Sequence, residues 1–182
     1  RVLKVQGLND LPRNEFGRSQ LPNLLGGRTT DFLFTLQLPP QREAASLGIT
    51  RVRLAWTDSE GRRQRIRAQL DLPVLAAGAY GQVTENPQVR AALELLLNAK
   101  AKQDAVAFLD AGDIAGAQRL LRVRSAQFSE LQEALTGHVP PAELAGEVAQ
   151  LEELAAGVEH DQQLSRKRAF SQHYQRSRSK AE

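Results

Sequence analysis

The apolar residues of this chain keep one period up to about residue 76 and a different one from Asn86 onward. In TDFLFTLQLPP, Phe32, Phe34, Leu36 and Leu38 fall on one face, and Asp31, Leu33, Thr35 and Gln37 on the other. In ITRVRLAWTD, Val52, Leu54 and Trp56 alternate with Arg51, Arg53 and Ala55. In RRQRIRAQLDLPVL, Ile66, Ala68, Leu70 and Leu72 alternate with Arg65, Arg67, Gln69 and Asp71. Period two marks half-buried antiparallel strands, because successive side chains leave the pleat on opposite sides. Asp58, Ser59 and Gly61 between the last two runs read as a hairpin turn. VLKVQGL adds a short strand, and SQLPNLLGG a brief one before a Gly26-Gly27 turn. Four or five strands with one apolar face each require a second layer. Residues 1–80 are therefore expected to form a small antiparallel β-sandwich, Ig-like with few strands.

From Asn86 the spacing becomes helical. Asn86 before Pro87 is a helix start, the side chain capping the first turn and the proline taking the first helical position. From there to Asp110, Val89, Leu93, Leu96, Leu97, Ala101 and Phe108 fall near one stripe. AGD makes a tight connection, and from Asp113 a three-four spacing of Ile114, Ala117, Leu121, Phe128, Leu131 and Leu135 is interrupted only by Arg124. GHVPP breaks the chain before a third helix, from about Ala142 to Glu159, with Leu144, Val148, Leu151, Ala155 and Val158 in register. Short links make antiparallel neighbours. The expected fold class is thus α+β in two parts. The β-sandwich is followed by a linker at 81–86, an antiparallel three- to four-helix bundle over 87–162, and a basic helix or tail over 163–182. FLDAGDIAGAQRLL resembles the helix-turn-helix core of a tetratricopeptide unit, but the unit does not recur at the period of about 34 residues that an array needs.

Charge is unevenly distributed: residues 1–86 sum to +4, residues 87–162 to −6 and residues 163–182 to +5. The densest apolar run, ALELLL, is far short of the roughly 20 residues of a membrane span. No cysteine occurs, so there is no disulfide, thiol nucleophile or thiolate metal site, which fits a cytoplasmic setting. With no methionine anywhere and no signal-peptide pattern, we expect a segment of a longer protein whose remainder lies upstream of Arg1.

Motifs for chemistry are sparse. His138, His160 and His173 make no i, i+4 pair and read as surface histidines. GGRTT lacks the Gly-Lys-Ser/Thr ending of a phosphate loop, and DAGD and DSEG lack the alternating oxygen ligands of a calcium loop. Glu152 and Glu153 are adjacent on a helix and splay apart. No catalytic residue, metal ligand or cofactor site is assigned, and an enzyme is not expected.

Arginines are the more telling residues. Arg51, Arg53, Arg65 and Arg67 lie opposite the apolar stripes of the hairpin and should crowd one outward surface, where like charges need a partner. That surface is either a solvated outer face that discourages edge pairing or a docking surface for carboxylates. The second basic group is Arg166, Lys167, Arg168, Arg176, Arg178 and Lys180, with Phe170 and Tyr174 interleaved. The two rings are one helical turn apart and Leu164 lies near their side, which predicts a fourth helix clasped to the acidic helices through its aromatics. The alternative is a nucleic-acid handle.

VLKVQGL, DFLFTLQLPP, ITRVRLAWTDSEGRRQ, NPQVRAALELL, AFLDAGDIAGAQRLL and RAFSQHYQRSRSK, in that order, resemble the region that follows the von Willebrand factor type A domain in a group of bacterial proteins. The resemblance covers most of the chain through diffuse pattern rather than one signature. It implies a scaffold or interaction role beside an upstream metal-binding type A domain. That domain's Asp-x-Ser-x-Ser motif has no counterpart here, since Asp58-Ser59-Glu60 does not match it, so no metal ligand carries over. Partners expected are the chain's own upstream type A domain or another protein, with nucleic acid as the alternative and no membrane.

Overall fold

The computed structural model describes residues 4–9, 11–23 and 29–178, in which strands precede helices. β1 (Lys4–Gly7) pairs with β2 (Phe34–Gln37), and β3 (Ala44–Thr57) with β4 (Arg63–Val74). The class is α+β, with strand pairing among the described residues confined to two two-stranded sheets. Of the expected SQLPNLLGG strand and turn, Leu24, Leu25, Gly26 and Gly27 lie outside the described residues. The chain divides into two compact units, one of Arg1–Gln6 with Phe34–Thr84, the other of Gly7–Leu33 with Glu85–Glu182.

In the first unit β3 and β4 form a long antiparallel ribbon in which Val52 faces Ala68, Leu54 faces Ile66 and Arg53 faces Arg67. Its turn is built by Asp58. The Asp58 carbonyl accepts from Gly61 N at 3.1 Å, and Gly61 takes φ 77°, a conformation that a side chain would strain. The Asp58 carboxylate accepts from Arg62 N (2.8 Å), Gln64 Nε2 (2.9 Å), Glu60 N (3.0 Å) and Arg62 Nε (3.2 Å). These bonds, the one from Gln64 foremost, hold the carboxyl below its ordinary 3.8. The ribbon's apolar face is open: Val52 is 50% exposed, Ile66 54% and Leu72 45%. α1 (Ala77–Tyr80) is a single turn at the end of this unit.

In the second unit, buried Asn9 closes the segment Gly7–Leu33 on itself, donating to Asp31 O at 2.7 Å and accepting from Leu33 N at 2.9 Å. Four helices follow: α2 (Pro87–Asp110), α3 (Ile114–Leu135), α4 (Pro141–Gly157) and α5 (Gln162–Arg178). Asn86 caps α2 by accepting from Gln88 N and Val89 N. The α2–α3 link turns on Gly112, at φ 79°, and on Asp113, which caps α3 through Gly116 N at 2.8 Å. Gly116 has no room for more: a Cβ there would lie 2.9 Å from Phe108 Cδ1 and collide with the Asp113 carboxylate.

α2 packs on α3 and α5, and α3 on α4. α3 and α4 bury the seams read from their spacing, with Ala117, Leu121, Phe128, Leu135, Leu144, Leu151, Ala155 and Val158 inside. α2 follows its expected stripe only in part. Leu96 and Ala101 are buried as expected, but Val89 and Phe108 are exposed, and Ala91, Leu95, Ala99, Ala105 and Leu109 are buried outside it. With neighbours on more than one side, α2 has no single apolar face to be read.

Candidate functional site

The arginine face comes directly from the ribbon's register. Side chains directly opposite on paired strands share a face, so Arg53↔Arg67, Arg51↔Gln69, Ala55↔Arg65 and Thr57↔Arg63 put five arginines on one side. Arg63 was missed in the sequence reading, although the alternation that marks Arg65 and Arg67 extends back to it. All five are exposed. Arg51 Nε donates to Gln69 Oε1 at 2.9 Å, and Gln69 Nε2 donates to Asp71 Oδ1 at 2.7 Å, so one arginine is linked through an amide to a carboxylate. Among the described residues Arg53, Arg63, Arg65 and Arg67 have no ion-pair partner. An open depression of about 270 Å³ lies among Arg51, Val52, Arg53, Arg67, Ala68 and Gln69. Planar guanidinium forks at such spacing can grip carboxylates two bonds at a time.

The second predicted group sits on α5. Asp161 starts this helix by accepting from Leu164 N at 2.8 Å. Arg166 pairs with Asp110 of α2 through Nε–Oδ1 at 2.6 Å and Nη2–Oδ2 at 3.3 Å, and Asp110 raises the guanidinium pKa further. Arg168 pairs with Glu153 of α4. His173, read as a surface residue, is half-buried with Nδ1 3.0 Å from Ala99 O. Clasping by charge is thus present, but the aromatic clasp is not. Phe170 is 60% exposed and Tyr174 51%, while Ser165 and Ala169 are buried. The approach explains the rotation: a Cβ on Gly157 would lie 2.9 Å from Ser165 Oγ, a gap too narrow for a ring. Lys167 is exposed. Arg176 and Arg178 continue the α5 backbone, and Lys180 lies outside the described residues.

No family model, curated protein or solved structure matches this chain.

Sequence reasoning also missed a buried polar layer in the helices. Arg124, read as an interruption of the α3 seam, donates to Asn98 Oδ1 (2.6 Å), Glu94 O (2.9 Å) and Glu94 Oε2 (2.6 Å). Lys102 Nζ lies 3.1 Å from Glu147 Oε2 and donates to Gln150 Oε1 at 2.7 Å. One apolar cluster, with Ala91, Phe128 and Leu144, lies on one side of this layer in sequence position along each helix. The other, with Ala105, Leu121 and Leu151, lies on the other side. The available signal was Glu94, Asn98 and Lys102 at four-residue intervals on α2, a polar stripe down one face. Such pairs specify helix register more than they stabilise it. Among the described residues no three His, Asp or Glu side chains gather as metal ligands would, and no helix is long and apolar enough to cross a membrane.

Proposed function

We propose that this chain is a non-catalytic protein–protein interaction module whose docking surface is the arginine face of the β3–β4 ribbon. The observation that carries this is Arg53 directly opposite Arg67, with Arg63 and Arg65 beside them and no carboxylate paired to any of the four among the described residues. Like charges across a strand pair disfavour the ribbon, and an acidic protein surface would turn that cost into binding energy and orientation. The resemblance to the region after a type A domain makes that upstream domain the first partner to test. In the finer reading, the open apolar face of the ribbon belongs to an Ig-like β-sandwich, and α2 to α5 make an antiparallel bundle. Lack of cysteine favours a cytoplasmic setting.

The test is titration of the parent protein's type A domain with this chain and with its R51S/R53S/R65S/R67S variant. Salt-sensitive binding that the variant loses supports the proposal. Equal binding by both chains removes the arginines from the interface, and a parent sequence with no Asp-x-Ser-x-Ser motif removes the type A partner.

A further inference from the structure

We infer that the outward face of α5 is a platform for single-stranded nucleic acid, separate from the ribbon. The helix is fixed in rotation. Ser165 and Ala169 face inward, and Arg166 and Arg168 flank them, one held by Asp110 of α2 and the other by Glu153 of α4. At about 100° per residue, the side turned away from Ser165 and Ala169 carries Gln163, Leu164, Lys167, Phe170, Ser171 and Tyr174. Gln163, Lys167 and Ser171 are exposed, and Phe170 and Tyr174 are the helix's most exposed large apolar side chains, at 60% and 51%. The two rings stand one turn apart, about 5–6 Å between Cβ atoms, so each can take its own base.

Chemistry selects the occupant. With Arg166 and Arg168 paired to Asp110 and Glu153, residues 163–182 still hold Lys167, Arg176, Arg178 and Lys180 against one acidic group, a surplus that favours an anionic ligand. A partner helix would seat apolar knobs at the positions held by Gln163 and Lys167, burying an amide and an ammonium without partners. A membrane surface would take a wide continuous apolar face, and here Lys167 and Ser171 stand between the rings and Leu164. Single strands require what is present: exposed rings on which any base stacks and a cation for the phosphates, with an amide and a hydroxyl beside them. Burial of Ser165 and Ala169 fixes which side of the helix the rings occupy before the ligand arrives, so little ordering of the helix is needed on binding.

The test is fluorescence anisotropy of a labelled oligothymidylate with the full 182-residue chain. Binding is expected at low salt, with log K falling against log[salt] by about 0.7 for each phosphate neutralised. F170A/Y174A should weaken it roughly tenfold or more, with helical circular dichroism unchanged, and K167Q should lower the salt slope by about 0.7. R53S/R67S should leave it unaltered, which separates this surface from the ribbon. No binding at low salt overturns the inference, as does affinity that survives loss of both rings. Ring-dependent flotation with phosphatidylserine vesicles, without oligonucleotide binding, assigns the face to membranes instead.

Discussion

Lys102 Nζ lies 3.1 Å from Glu147 Oε2, with 1% of the lysine side chain and 6% of the glutamate exposed. Both charges were taken out of water, and their attraction must offset that loss. Replacing one partner takes the opposite charge away from the other while that charge stays buried. Lys102→Met is expected to cost about 3–5 kcal/mol, whereas Lys102→Met with Glu147→Leu should cost far less. Urea unfolding of the four members of the cycle measures this, and additive costs would show that the two side chains do not act as a pair.

Arg53 and Arg67 face each other across the ribbon, which separates stability from binding. Arg67→Glu replaces a repulsive cross-strand pair by an attractive one, worth about 0.2–1 kcal/mol. The ribbon should become more stable while capture of an acidic partner falls. Thermal unfolding together with the titration above reads both, and a stability loss in this variant would mean that Arg67 has a structural partner.

Asp58 carries the pH dependence of the ribbon turn. Its folded-state carboxyl titrates below the ordinary 3.8, so its stabilisation of the turn is complete above that value and is lost as pH falls through the folded value. Amide resonances of Glu60 and Arg62 should shift in that acid window and not between about pH 5 and 7, the ordinary carboxylate range lying below it. In Asp58→Asn the acid shift should vanish. Resonances that move equally in both proteins would assign the titration elsewhere.

Docking of α5 should depend on fit more than on charge. Arg166 and Asp110 are both half-exposed, and pairs of that kind contribute about 0–1 kcal/mol. Asp110→Asn should therefore change little. Ala169→Leu places extra methyl groups in a closed site and should cost about 1–3 kcal/mol. Hydrogen exchange along α5 tests the order, and faster exchange in Asp110→Asn than in Ala169→Leu would reverse it.

What could be read from sequence followed how purely apolar the buried part of an element is. α3 and α4 show their seams plainly, from Ala117 to Leu135 and from Leu144 to Val158, because each buries one mainly apolar stripe. α2 buries Glu94, Asn98 and Lys102 along with Leu95, Ala99 and Ala105, so no apolar stripe stands out. α5 was legible as a helix but not in rotation: hydrophobicity pointed Phe170 inward, while the narrow gap at Gly157 is filled by Ser165, and Ala169 is buried one turn on. On the ribbon, alternation alone put Arg51, Arg53, Arg65 and Arg67 together, because period two needs no tertiary information. The polar layer stayed hidden because Glu94, Lys102 and Arg124 look like surface residues until their partners on other helices are known.

That layer also acts as a vernier between helices. Sliding α2 along α4 by one turn, about 5.4 Å, would carry the Lys102 ammonium away from both Glu147 Oε2 and Gln150 Oε1 and toward Leu144 or Leu151. The ion pair and the amide together therefore oppose shear between these two helices.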